Sequence, residues 1–132
     1  MTLSTRTARI ALVLAALVAA AAHVPVVAPH LREAPYMGVL FVLFTVACLG
    51  IAAAVAVRPS VWAYRAAAGV CGAGVLTYVA TRLVAFPQLA DDVGNWFEPL
   101  GVASVLSESV VVLTAVVMWR AQRPSPLLRA TA

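Results

Sequence analysis

The sequence predicts an all-α fold: four transmembrane helices in an antiparallel up-down bundle, with both termini cytoplasmic. Three observations carry the prediction. The chain is 64 % hydrophobic and 11 % charged, against about 45–50 % and about 25 % in soluble domains. Its charges divide it into four apolar runs, each long enough for the roughly 20 residues that a bilayer-spanning helix needs. Arginines and acids then segregate to opposite ends of those runs. A chain of 132 residues has room for one domain, and a mean hydropathy of +0.99 excludes a water-soluble globule or a disordered tail.

The first run, 10–31, contains no Asp, Glu, Lys or Arg, and a helix is expected over about 9–29. Arg6 and Arg9 before an apolar run also suit a signal peptide, but the run exceeds the roughly 7–15 residues of a signal core, which favours a retained helix. Pro25 predicts a kink or a helix end near His23, because proline removes a helical N–H. The second run, 34–57, is equally free of charge, and a helix is expected over 35–57. The third, 61–86, is interrupted only by Arg65 and Arg82, with a helix over 61–85. The fourth, 99–119, is interrupted only by Glu108, with a helix over 98–120. Glu98-Pro99 reads as a helix start, with proline in the first turn and an acid at the positive end of the dipole. Residues 121–132 are expected to form a short cytoplasmic tail that includes Arg123 and Arg129.

The net charge is +4, and all nine basic residues are Arg. In a soluble protein a pI near 9.8 would suit nucleic acid. Here the cations stand between apolar runs, so they set topology and nucleic acid is not an expected partner. Arg6, Arg9, Arg58, Arg65, Arg120, Arg123 and Arg129 fall on one side of four alternating helices, and only Arg32 and Arg82 on the other. The positive-inside rule makes the first side cytoplasmic. Glu33, Asp91, Asp92 and Glu98 then all lie outside. Trp62, Tyr64, Trp96, Phe97 and Trp119 near the helix ends resemble an interfacial aromatic belt.

Small and polar stripes name the inward faces, since helices in lipid associate through small residues and a few polar contacts. They are Ala11, Ala15, Ala19 and His23 in the first helix, and Gly38, Thr45, Cys48 and Ala52 in the second. The third contributes Gly74, Tyr78 and Thr81, the fourth Gly101, Ser104, Glu108 and Ala115. Large Leu, Val and Phe residues cover the rest.

Glu108 carries the most information. It lies nine residues after Pro99, about 13 Å into a hydrocarbon core about 30 Å thick, where a carboxyl group normally faces a bundle or cavity and marks an ion or proton site. His23, Tyr78, Arg82 and Ser104 fall at overlapping depths. Together the five form a candidate ligand or proton site in the outer half of the bundle, with Glu108, His23, Tyr78 and Arg82 in one hydrogen-bonded cluster. On the outer rim, His30, Glu33, Asp91, Asp92 and Glu98 combine imidazole with carboxylate, donors that suit a divalent metal. They match no defined metal motif, so a metal is an option and no cofactor is required. Cys48 and Cys71 form no CxxC and read as buried small hydrophobes on adjacent helices. No HExxH, GxSxG, P-loop or dinucleotide fingerprint occurs.

The motif His30-Leu31-Arg32-Glu33, followed by Gly38 and Phe41, and the motif Glu98-Pro99-Leu100-Gly101, followed by Glu108, resemble a group of small four-helix membrane proteins found mainly in actinobacteria. This chain carries Cys48 where that group has Gln. The resemblance implies that the His/Glu elements and the fourth-helix Glu belong together, and it brings no activity with it.

The function expected from the sequence is an accessory or cation- or small-ligand-binding module of the cell membrane. Its partners would be the lipid bilayer and a second copy or a larger membrane complex. The rivals are a proton-coupled small-solute carrier using Glu108 and a membrane-embedded enzyme using Glu108 and His23 as acid and base.

Overall fold

The computed structural model describes residues 4–122. They form α1 (Thr5–Glu33), α2 (Pro35–Val57), α3 (Val61–Leu83), a 3-10 turn (Ala90–Asp92) and α4 (Pro99–Ala121). All four long helices are long and apolar enough to cross a membrane, and no strand occurs among the described residues. The expected tail with Arg123 and Arg129 lies outside them.

Local chemistry sets most of the boundaries. Ser4 caps α1 by accepting from the Thr7 N–H at 3.1 Å, which starts the helix earlier than residue 9. The expected kink or break near His23 does not end α1: the helix passes Pro25 and Pro29 and stops at Glu33. Each proline withdraws one N–H from the ladder, a loss that long helices in membranes tolerate. Only Ala34 then separates α1 from α2. Its N–H donates to the His30 carbonyl at 2.8 Å, while its own carbonyl accepts from Met37 and Gly38 at 2.9 and 3.1 Å. Pro35 fits because the first helical position needs no N–H.

The turn brings Gly38 against α1. A Cβ at position 38 would stand 2.6 Å from the Leu31 nitrogen and 2.8 Å from its Cα. At the other end, Pro59 forces Arg58 out of helical geometry, and Ser60 caps α3 through the Ala63 N–H at 3.2 Å. α4 starts as expected at Glu98-Pro99. Both carboxylate oxygens of Glu98 are engaged there, by the N–H groups of Leu100 at 3.0 Å and Gly101 at 2.5 Å.

Consecutive helices run antiparallel. α1 packs along α2 and α4, and α3 along α4; α2 and α3 touch least of the neighbouring pairs. The core is built mostly of small and aliphatic side chains, among them Leu12, Ala16, Ala19, Val55, Ala67 and Val111. Close approach of backbones lets many weak dispersion contacts add up where lipid supplies no hydrophobic drive. The buried face of α1 runs through Ala8, Leu12, Ala16 and Ala19, one position away from the expected stripe at Ala11 and Ala15. The stripes of α2 and α4 fall inside, with Gly38, Cys48, Ala52, Ser104, Glu108 and Ala115 buried.

Tyr64 departs from the aromatic belt: it is 1 % exposed and belongs to the core, whereas Trp62 and Phe97 are exposed. Arg65 stacks between two indoles, 5.0 Å from the Trp62 ring and 4.9 Å from that of Trp119.

Fifteen residues after α3, the chain must return to α4. Gly94, at φ +79, turns back so that its N–H reaches the Arg82 carbonyl at 2.9 Å. Leu89 packs down on Ala34 and Met37 beside Phe41 and Phe86. Tyr36 donates to the Pro87 carbonyl at 2.6 Å, tying the loop across the α1–α2 turn.

Candidate functional site

Beneath that loop lies a cavity of about 420 Å³ between the four helices, in the half of the bundle that carries the acidic loop. Its wall is mostly apolar, with Phe41 and Phe44 of α2 and Met37 prominent, and its polar groups fall into two sets.

The deeper set joins α1 to α4. Glu108 is 2 % exposed. Ser104, one turn earlier on α4, donates its hydroxyl to Glu108 Oε1 in a short hydrogen bond. His23 Nε2 stands 4.0 Å from the same oxygen. The His23 ring is fixed by its other nitrogen, 2.8 Å from the Ala19 carbonyl. A carbonyl only accepts, so Nδ1 carries the proton and Nε2 presents its lone pair when the ring is neutral. Ser104 Oγ lies 3.5 Å from that Nδ1. Phe44 and Phe41 pack on the imidazole, with ring centroids at 4.7 and 5.2 Å.

Glu108 makes its polar contacts through Oε1, and Oε2 takes part in none of them among the described residues. It lies against Gly74, where a Cβ would stand only 2.5 Å from it. The glycine thus makes the space that the carboxyl group fills.

The second set belongs to α3 and the loop. Arg82, 7 % exposed, pairs with Asp92 Oδ1 at 2.8 Å and donates to the Asp92 carbonyl at 3.2 Å. Its guanidinium lies 4.6 Å from the Tyr78 ring centroid, and its buried Nε has no partner. Tyr78 donates to the Trp96 carbonyl at 2.8 Å, and its ring covers Gly101, where a Cβ would be 2.5 Å from Cε2.

The expected single cluster is therefore two. Glu108, His23 and Ser104 come together, while Tyr78 and Arg82 line the same cavity but bond to the loop. The loop supplies a carboxylate and a carbonyl nearer to Tyr78 and Arg82 than the buried acid.

The rim residues are not gathered into a metal site. His30 donates to the Val26 carbonyl at 2.8 Å and meets Phe41 edge-on at 4.9 Å. Asp92 holds Arg82, Glu98 caps α4, and Glu33 and Asp91 are exposed. Among the described residues, no three His, Cys, Asp or Glu side chains converge on a point that could hold a metal ion.

Phe41, Phe44 and Gly74 complete the site beyond the residues expected to form it. The phenylalanines read as lipid-facing by type. Their spacing to Cys48, seven and four residues later, is the signal that puts them on the inward face. Cys48 and Cys71 are both buried free thiols.

Comparison of the chain with protein-family models, with curated proteins and with solved structures found no match in any of the three.

Proposed function

We propose that the chain is an integral protein of the cytoplasmic membrane that binds a small molecule in the cavity between its helices. The observation that carries the reading is the bare Oε2 of a buried glutamate on the wall of a 420 Å³ cavity. Ligand pockets of about 300–1,000 Å³ are mostly apolar with a few placed polar groups, and an ionisable group within a membrane is a functional candidate by default.

Sidedness follows from charge. Arg6, Arg9, Arg58, Arg65 and Arg120 sit at one end of the bundle, and Glu33, Asp91, Asp92 and Glu98 at the other. With only Arg32 and Arg82 at the acidic end, the positive-inside rule supports a cytoplasmic arginine end and, with it, a cavity in the outer half. In a background lacking Cys48 and Cys71, a membrane-impermeant maleimide should label Asp91→Cys on intact cells and spare Pro59→Cys. The reverse pattern would overturn the orientation.

Binding itself is tested by native mass spectrometry of the full chain released from nanodiscs. The wild type should carry a small molecule of defined mass, and Thr77→Trp, which fills the cavity from α3, should lose it. Spectra that do not differ would overturn the reading.

A proton-coupled carrier is the second reading, favoured by His23 only 4.0 Å from the buried carboxyl, since both groups exchange protons. It requires uptake into proteoliposomes driven by a pH gradient and abolished by Glu108→Gln.

A further inference from the structure

We infer that the cavity takes an amphiphilic primary ammonium ion, an amine on an apolar body, which reaches it from the bilayer through the seam between α2 and α3. The inference rests on the binding reading above and names the ligand class and its route.

Charge balance selects a cation. Of the charged groups lining the cavity, Arg82 and Asp92 neutralise one another at 2.8 Å, and Glu98 is held by the N–H groups that open α4. Glu108 is left with no Arg partner among the described residues, and the nearest group that could carry a positive charge is His23 at 4.0 Å. A buried carboxyl group is held either neutral or beside a counter-charge, and an incoming ammonium supplies the counter-charge.

The polar atoms select a primary amine. Glu108 Oε2 is free, and His23 Nε2 presents a lone pair because Nδ1 carries the proton to Ala19. Both residues line the cavity, from α4 and α1. An R–NH3⁺ group has N–H donors for both, whereas a quaternary ammonium has none and an alcohol has one and no charge. Charge-assisted hydrogen bonds are about twice as strong as neutral ones. The Phe44 and Phe41 rings beside His23 offer faces that favour a cation, and Met37, Leu40 and Leu89 accommodate the apolar body.

The route follows from which sides are closed. The loop end is covered by Leu89, packed on Ala34 and Met37, and by the Arg82–Asp92 pair. The middle of the α2–α3 seam is closed by Cys48 and Cys71, both 0 % exposed. Above the cysteines the seam is open: Leu40, Ala73 and Thr77 line the cavity and are also exposed on the outer surface. This rim carries no charge and faces the depth of lipid tails, which suits a solute dissolved in the bilayer.

The test is calorimetry on the full chain in nanodiscs with three probes of one skeleton: 3-phenylpropylamine, its N,N,N-trimethyl derivative and 3-phenylpropanol. The amine should bind about tenfold more tightly than either of the others, the step that one charge-assisted bond supplies. Glu108→Gln, which can still accept from Ser104, should lower amine affinity to that of the alcohol. Equal binding of all three probes would overturn the cation inference while leaving a binding cavity. Binding of none would overturn both. Stopped-flow fluorescence tests the route. Ala73→Trp at the seam should slow amine association about tenfold, and Phe86→Ala, which loosens the loop packing from outside the cavity lining, should leave it unchanged. Acceleration by Phe86→Ala with no effect of Ala73→Trp would overturn access from the lipid.

Discussion

Gly38→Ala should loosen the α1–α2 pair, and the structure gives the size of the conflict. The added Cβ would stand 2.6 Å from the Leu31 nitrogen, where ordinary contact begins at 3.4 Å. Two helices must therefore separate by about 0.8 Å in a contact that Ala34 alone connects. The obstacle is the Leu31 backbone as well as its flexible side chain, so no rotamer change relieves it. Overpacking of this kind costs about 1–3 kcal/mol. Alanine's better helix propensity returns about 1 kcal/mol, leaving a net loss of up to about 2 kcal/mol.

Gly50 and Gly69 are the controls, because a Cβ at either meets nothing within 4 Å; Gly50→Ala and Gly69→Ala should be neutral or stabilising by up to about 1 kcal/mol. The assay is equilibrium unfolding in mixed micelles of increasing SDS fraction, followed by helical circular dichroism. Gly38→Ala as stable as Gly50→Ala would refute the reasoning.

Gly74→Ala should push the Glu108 carboxyl and Phe44 from their positions, since its Cβ would be 2.5 Å from Oε2 and 2.8 Å from Phe44 Cζ. Calorimetry should show loss of the amine preference, while Gly72→Ala, whose Cβ first meets Val112 at 4.0 Å, keeps it. Asp92→Ala leaves the buried Arg82 guanidinium with the residue-92 carbonyl and the Tyr78 ring, a loss of about 1–3 kcal/mol by the same SDS titration; a change under about 0.5 kcal/mol would mean that the pair behaves as an exposed one. Cys48 and Cys71, with no exposed surface, should resist a membrane-permeant maleimide until the chain is unfolded. Rapid labelling of the folded protein would contradict their burial.

Much of the fold was legible because lipid imposes few options. α2 and α4 fall within one residue of the ranges expected for them, since Pro35 and Pro99 mark their first positions. α1 overran its expected range at both ends. Prolines that end helices in water are carried inside a long membrane helix, and a capping serine reads like any other loop residue. The Glu108–His23–Ser104 set was legible from depth and helical phase alone. The partners of Tyr78 and Arg82 were not, because they depend on how a loop folds, through Gly94 and Asp92, and no periodicity describes that. Nor could residue type place Phe44 or Tyr64: an aromatic ring is equally at home against lipid, against another helix or at the interface.

The single-residue turn at Ala34 also bears on how the protein is made. With only Ala34 between them, α1 and α2 would insert as one hairpin, and Gly38 lets the pair close at its bend. The α3–α4 unit would follow with a longer acidic connection. It docks mainly through α4 onto α1. Helices that insert independently and then associate would in this chain do so as two hairpins, and the last contact to form would be the one between α2 and α3.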